Sequence, residues 1–230
     1  MSTVAPTMTE ANFLQASLSI NSISCERDER ILFKNLSFRC DSGSLLQILG
    51  FNGAGKTTLL HTLCGLRPAA EGEIQWLGTS ILQNLAEYRR SLFFLGHQAP
   101  VKGHLTVREN VEWLKALHGS NPSGSVDDAL EQVDLGAYSD TACYSLSAGQ
   151  RRRVALAQLY LNQCPLWVLD EPFTAIDKAG VSRLSERISE HSERGGIVVL
   201  TSHQPIELSD VNLLDISRFQ PSPEEQLYCG

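Results

Sequence analysis

The chain contains the stretch Gly50-Phe51-Asn52-Gly53-Ala54-Gly55-Lys56-Thr57, followed by Thr58, and the rest of the fold is predicted around it. The stretch matches the phosphate-loop pattern G-x-x-x-x-G-K-[ST] at every fixed position, between an apolar strand pattern (44–49) and a helical pattern (58–63). Glycines allow backbone N–H groups to curl around a phosphate, and the N-terminus of the following helix adds positive potential. In this pattern Lys56 approaches the β- and γ-phosphates, and the Thr57 hydroxyl binds Mg²⁺. Residues 50–58 are therefore predicted to bind a nucleoside triphosphate, because a chance glycine-rich turn would lack the flanking strand and helix.

Composition argues against several other classes of protein. The 230 residues are 42% hydrophobic and 20% charged, which is typical of a globular domain with a buried core. The net charge of −7 argues against a nucleic-acid partner, which would need a clustered basic surface. No run of about 18 apolar residues is present, so no membrane-spanning helix is predicted. The six cysteines lack C-x-x-C spacing and are predicted to be reduced thiols that hold no metal.

Alternating strand and helix patterns predict an α/β fold with a mainly parallel sheet and helices on both faces. Two alternating segments, 16–25 and 31–39, predict an antiparallel hairpin before the phosphate loop. Helical patterns at 106–117 and 126–133 lie between strands and predict an inserted helical subdomain at about 99–160. The chain is predicted to be one domain, 13–220, with disordered tails at 1–12 and 221–230. Further strands are predicted at 72–78, 91–95, 166–169 and 197–200, and further helices at 147–161 and 177–191.

An acidic pair, Asp170-Glu171, directly follows the apolar strand pattern 166–169. A carboxylate at the C-terminal end of a parallel strand faces the nucleotide in phosphate-loop proteins, so Asp170 is predicted to bind Mg²⁺. Glu171 can accept a proton from the water that attacks the γ-phosphate. A solvated turn of charge is the alternative for such a pair, and the phosphate loop in the same chain argues against it.

At this point the chain resembles the ATP-binding cassette family. Leu146-Ser147-Ala148-Gly149-Gln150 is similar to the signature L-S-G-G-Q of that family, with alanine in place of one glycine. Gln98 resembles the glutamine of the Q-loop, residues 174–177 resemble the D-loop, and His203 resembles the switch histidine. These elements follow the family order from residue 50 to residue 203. The resemblance implies a P-loop NTPase cassette with an N-terminal antiparallel β part.

The resemblance also implies roles for these residues, with ATP and Mg²⁺ as cofactors. The signature would bind the γ-phosphate of the ATP held by a second subunit, so the chain would form a homodimer on ATP binding. Gln98 would contact Mg²⁺, with Thr57 and Asp170, and would also contact the attacking water. His203 would donate to the γ-phosphate, and Asp177 would couple the two sites. The implied catalytic residues are thus Glu171, His203 and Gln98.

Two positions depart from the family pattern. The family commonly stacks an aromatic ring on adenine from a position that falls at about Arg27, where no aromatic residue is near. The Arg27 guanidinium can stack on a purine, and a plain solvated turn is an equally good interpretation. Phe51 replaces the usual proline of the phosphate loop. The departures leave the adenine contact open but do not affect the residues that bind phosphate.

A finer resemblance concerns the pathway. Residues 25–30, 95–98, 146–157 and 170–178 are similar to the haem-exporter ATP-binding subunits of bacterial cytochrome c maturation. This implies an ATPase coupled to haem export or release, located peripherally on the cytoplasmic side of the inner membrane with integral membrane subunits as partners. Two alternatives stay open: a nucleotide-switched ATPase with a regulatory or assembly role, and a transporter ATPase for another small-molecule cargo. The sequence does not distinguish the cargo.

Overall fold

The computed structural model describes residues 13, 15–27, 30–117, 124–202, 206 and 208–221. The predicted tails, 1–12 and 221–230, lie outside the described residues except for Pro221, and His203 lies outside them as well. The strands are β1 (Ser17–Arg27), β2 (Arg30–Asp41), β3 (Leu45–Leu49), β4 (Glu71–Trp76), β5 (Thr79–Ser80), β6 (Leu92–Leu95), β7 (Leu166–Leu169), β8 (Ile197–Thr201) and β9 (Val211–Asp215). The α-helices with both ends described are α1 (Lys56–Leu63), α2 (Leu85–Arg90), α3 (Val107–Leu117), α4 (Val126–Gln132), α5 (Ala148–Leu156) and α6 (Lys178–Glu193).

A five-stranded parallel sheet with the order β6-β7-β8-β3-β9 forms the centre of the molecule. Every residue of β7 and β8 is buried, because helices and a second sheet cover the two faces. Side chains of β7 alternate between two hydrophobic clusters: Leu166 and Val168 point into one, and Trp167 and Leu169 into the other. The prediction of a mainly parallel sheet between helices is confirmed.

A four-stranded antiparallel sheet with the order β2-β1-β4-β5 packs against one face of the parallel sheet. The predicted hairpin is confirmed, since β1 and β2 pair from Ser17↔Asp41 to Arg27↔Arg30. This sheet is not purely N-terminal, because β4 and β5, which follow the phosphate loop in sequence, complete it.

The helices α3, α4 and α5 lie between β6 and β7 and bury the second hydrophobic cluster. The expected single helix over 147–161 needs a correction. It is α-helical only from Ala148 to Leu156 and continues as a 3₁₀-helix from Ala157 to Tyr160. The last turns of helices often tighten in this way, because an i→i+3 bond still satisfies carbonyls at the helix end.

The strand ends bring the predicted site residues together. Ile48 of β3 pairs in register with Thr201 of β8, and Leu169 of β7 pairs with both Leu95 and Leu200. The C-terminal ends of these parallel strands therefore meet at one edge of the sheet, which is where open α/β sheets bind ligands. The phosphate loop, Asp170 and the loop after β6 all begin at this edge.

Candidate functional site

A cavity of about 370 Å³ opens at this edge of the parallel sheet. Most residues of its wall come from the predicted phosphate loop and from the acidic pair after β7, and Arg27 closes it from the end of β1. Leu32 and His97 also line the cavity and were not predicted as binding residues. The described lining residues are Arg27, Leu32, Phe51, Asn52, Gly53, Gly55, Lys56, Thr57, Thr58, His97, Asp170 and Glu171.

The phosphate loop is a tight backbone turn that ends at the first residue of α1. Gly53 and Gly55 have φ angles of 89° and 101°, which L-residues with a Cβ adopt only with strain. A Cβ at Gly55 would also lie 3.2 Å from side-chain atoms of β2. The Lys56 ammonium donates to the Gly50 carbonyl at 2.6 Å and to the Phe51 carbonyl at 3.3 Å. The loop carbonyls thus hold the predicted phosphate-binding lysine at the base of the cavity.

Both carboxylate oxygens of Asp170 accept hydrogen bonds from hydroxyl groups. The Thr57 hydroxyl donates to Oδ2 at 3.0 Å, and the buried Thr201 hydroxyl donates to Oδ1 at 2.7 Å. Thr57 and Asp170 lie 113 positions apart in the chain, and the structure brings this predicted pair into contact. Thr201 in turn accepts a bond from the Glu171 N–H at 2.9 Å. The cluster presents two hard oxygen ligands at the floor of the cavity.

Thr201 is a site residue that sequence reasoning missed. It ends β8, the strand beside β7, and its hydroxyl orients both members of the acidic pair. The available signal was its place after the apolar run 197–200, since neighbouring parallel strands end at the same edge. Recognising it required knowing that β8 lies next to β7.

The signature-like residues form the N-terminus of α5. Ser147 is the N-cap residue, its hydroxyl accepts from the Gln150 N–H, and the Gln150 side chain accepts from the Ser147 N–H. Ala148 is exposed in the first turn, whereas a Cβ at Gly149 would lie 2.9 Å from the Ala175 carbonyl oxygen. Of the two glycines in the family signature, the one that this chain replaces by alanine is therefore the one whose position has room for a methyl group. Residues 146–150 are all described, and none of them lines the cavity of the same chain.

Asp177, in the D-loop-like segment, caps α6. Its carboxylate accepts from the Gly180 N–H at 3.0 Å and pairs with Arg153 of α5 at 2.8 Å. The Gly180 N–H, followed by Arg153, lowers the pKa of Asp177 below its ordinary value. Within one chain Asp177 thus connects α5 to α6, and it does not line the described part of the cavity.

Gln98 and His97 differ in their relation to the cavity. Gln98 is exposed in the loop after β6 and is not among the described residues of the cavity wall, whereas the adjacent His97 is. The predicted contact of Gln98 with Mg²⁺ therefore stays a prediction. Arg27 is exposed at the mouth of the cavity, so both interpretations of that residue remain compatible with its position.

A phosphate loop between a parallel strand and a helix, with an aspartate at the end of a neighbouring strand, defines a P-loop nucleotide-binding domain. Residues 33–174 match the ABC transporter family, and the chain belongs to that family, whose domain binds ATP. Within the described ranges, no helix combines the length and the hydrophobicity needed to cross a bilayer.

Among its relatives are proteins named cytochrome c biogenesis ATP-binding export protein CcmA. The protein of Pseudomonas fluorescens (strain Pf0-1) is 47% identical over 194 residues, which cover 84% of this chain and 92% of the relative. That of Aliivibrio fischeri is 47% identical over 199 residues, covering 86% and 98%. Among solved structures, an ABC transporter ATP-binding protein of Pyrococcus furiosus has a TM-score of 0.77 at 27% identity and covers 89% of this chain and 100% of its own. The comparison confirms the cassette fold.

Proposed function

We propose that this chain is the ATP-hydrolysing subunit of an ABC exporter that serves cytochrome c biogenesis. The observation that carries the proposal is the contact between Thr57 and Asp170 beside Lys56. The chain in which this contact occurs is 47% identical to a cytochrome c biogenesis ATP-binding export protein. The identity extends over most of both chains, so the whole relative, and not one motif, is matched. The energy of ATP hydrolysis would be used by membrane partners to export or release haem.

In this proposal the loop residues 50–58 bind the triphosphate through their backbone N–H groups, and Lys56 neutralises charge on the β- and γ-phosphates. Thr57 and Asp170 would hold Mg²⁺, and their hydroxyl and carboxylate oxygens are the kind of donors that this ion prefers. Bound there, Mg²⁺ supplies positive charge that stabilises the transferring phosphoryl group. Gln98 would complete this set from the loop after β6, and Arg27 would contact adenine at the cavity mouth.

Glu171 would act as the general base for the attacking water. It is buried, lies at the cavity wall and directly follows the proposed Mg²⁺ ligand. A carboxylate in this position can orient a water molecule toward the γ-phosphate and accept its proton. His203 would donate a hydrogen bond to the γ-phosphate from the segment after β8.

A second copy of the chain would complete each site. The N-cap residue Ser147 is exposed, and residues 146–150 do not line the cavity of their own chain, while a helix N-terminus of this kind suits an anion. Two chains arranged head to tail would place this signature, residues 146–150, over the partner's ATP. Asp177 would link the two sites from the start of α6. Integral membrane subunits would bind this dimer on the cytoplasmic side of the inner membrane.

The test replaces the chromosomal copy by Lys56→Ala and measures c-type cytochromes, with b-type haem as the internal reference. We expect c-type cytochromes to be lost while b-type haem is unchanged, because the variant cannot bind the triphosphate. Arg39→Ala serves as the control, since Arg39 pairs only with Asp41 on the exposed end of β2 among the described contacts.

ATP hydrolysis by the purified proteins is measured alongside, so that the chemistry and the pathway are tested separately. Normal c-type cytochromes in cells whose Lys56→Ala protein has lost ATP hydrolysis would refute the pathway. Undiminished hydrolysis by Lys56→Ala would refute the site itself.

A further inference from the structure

Arg152 is a buried cation outside the cavity wall. It lies on α5, two positions after the last signature residue, and only 5% of its surface is exposed. Its neighbours in sequence, Arg151 and Arg153, turn instead to the Leu146 carbonyl and to Asp134 and Asp177. A buried guanidinium is costly unless its N–H groups are satisfied, so the partners of Arg152 identify its role.

Those partners are four backbone carbonyl oxygens on two separate turns. Nη1 donates to Gly96 at 2.9 Å and to His97 at 3.2 Å, in the loop that follows β6. Nη2 donates to Asp170 at 3.1 Å and to Glu171 at 2.9 Å, in the turn that follows β7. One planar side chain therefore joins the signature helix to the loop that carries Gln98 and to the turn that carries the acidic pair. Lysine, with a single nitrogen, cannot span both turns in this way.

The turn at Glu171 needs this support. Glu171 has a φ angle of 50°, in the left-handed region that non-glycine residues enter only when surrounding contacts hold them there. Its N–H donates to Thr201 and its carbonyl accepts from Arg152, so hydrogen bonds fix the peptide on both sides of its Cα. The direction of the Glu171 side chain follows from that backbone geometry.

We propose that Arg152 is a positioning residue for ATP hydrolysis: it holds Glu171 and the Gln98 loop in register with the signature helix of the same chain. The inference rests on the proposed ATPase function and adds a residue that never touches the nucleotide. The helix α5 also carries the signature, which in the proposed dimer binds the partner's ATP through Ser147. Arg152 therefore links that binding to the position of Glu171 beside the ATP of its own chain. A shift of α5 is transmitted to Glu171 through the two bonds from Nη2.

The test compares Arg152→Met and Arg152→Lys with the unmodified full-length protein. We expect kcat to fall about 10–100-fold in Arg152→Met, because misplacing a catalytic group by about 1 Å can cost as much as about 100-fold. The KM for ATP should change less than about twofold, because the phosphate loop is untouched. Arg152→Lys should recover part of kcat, since it can still reach one of the two turns.

Arg187→Met is the control for loss of a largely buried arginine, since only 13% of the Arg187 side chain is exposed. Its guanidinium lies over the Trp167 ring at 5.2 Å and donates to the Leu159 carbonyl, and Arg187 is not among the described residues that line the cavity. We expect Arg187→Met to lower the melting temperature at least as much as Arg152→Met does, with kcat retained. Equal losses of kcat in the two variants would mean that Arg152 acts only through general stability, and the inference would be wrong.

A double variant separates positioning from direct chemistry. If Arg152 acts through Glu171, adding Arg152→Met to Glu171→Gln should lower the single-turnover rate by less than Arg152→Met does alone, because only the part that acts through the Gln98 loop is left. An undiminished 10–100-fold effect in the Glu171→Gln background would also overturn the inference. Failure of the unmodified protein to hydrolyse ATP would instead refute the proposed function, so the two failures are distinguishable. If Arg152→Met does not fold, Arg152→Lys is compared with the unmodified protein and with Arg187→Met in the same assays.

Discussion

The Thr201 hydroxyl lies at the centre of the acidic cluster, and its removal tests the geometry of the site. Thr201→Val keeps the shape of the side chain and replaces only the hydroxyl group by a methyl group. That oxygen donates to Asp170 at 2.7 Å and accepts from the Glu171 N–H at 2.9 Å, at a fully buried position. The variant therefore leaves one buried carboxylate short of a donor and one buried N–H without its acceptor.

The size of the effect follows from these two bonds. A hydrogen bond to a charged group contributes about 1.5–3 kcal/mol, and a buried N–H left unsatisfied costs about 1–3 kcal/mol. The two terms share the same oxygen and are not additive, so we expect the free energy of unfolding to fall by about 3 kcal/mol. For a chain of this length that corresponds to a fall in melting temperature of about 6–12 °C.

The assay is urea-induced unfolding of the nucleotide-free protein, followed by tryptophan fluorescence and by circular dichroism. Thr201→Ser is the control, because it keeps the hydroxyl and loses only one buried methyl group, at about 1 kcal/mol. We expect the valine variant to be about 2 kcal/mol less stable than the serine variant, with the same dependence on urea concentration. Equal stabilities of the two variants would show that the Thr201 oxygen does not hold the cluster together.

Two further predictions concern stability at other positions. Burial lowers the pKa of His191 to about 3, from an ordinary value of 6.5, so the unfolded chain binds the proton that the folded chain excludes. Stability is therefore lost as the pH falls through 6.5, and between pH 7.5 and 5.5 we expect the free energy of unfolding to fall by about 1 kcal/mol. His191→Phe keeps an aromatic ring against Trp167 and should abolish this loss, because phenylalanine does not titrate. A pH dependence unchanged in the phenylalanine variant would contradict this. Gly149→Ala forces a methyl group to 2.9 Å from the Ala175 carbonyl oxygen and should cost about 1–3 kcal/mol of unfolding free energy, whereas Ala148→Gly should cost less than about 1 kcal/mol. Equal losses in the two variants would mean that the two signature positions are not sterically distinct.

Features that depend on residues close together in sequence could be predicted. The capping box of Ser147 and Gln150 joins residues three positions apart, and the phosphate loop joins residues within one turn. Each such feature is recognisable because its geometry forces particular residue types into a short, regular spacing. The strands 166–169 and 197–200 were likewise predicted, because parallel strands buried on both faces appear as continuous apolar runs.

Features that depend on the order of strands could not be predicted in the same way. β9 pairs with β3 although Leu49 and Val211 lie 162 positions apart in the chain. Three residues of β9 are half-buried and two are exposed, so no buried apolar run marks it. β5 has two residues, too few for any periodicity. Pairing with β4 is what makes that segment a strand.

By itself the sequence determined the class of fold, the phosphate loop and the acidic pair, because each is encoded by spacing along the chain. The tertiary structure decided that Thr201 supports Asp170 and that Arg152 reaches two turns at once. A threonine at a strand end and an arginine in a basic helix carry no local signal of these roles. Their partners are carbonyl and carboxylate oxygens brought near only when β6, β7 and β8 align side by side, since such contacts have no fixed separation in sequence.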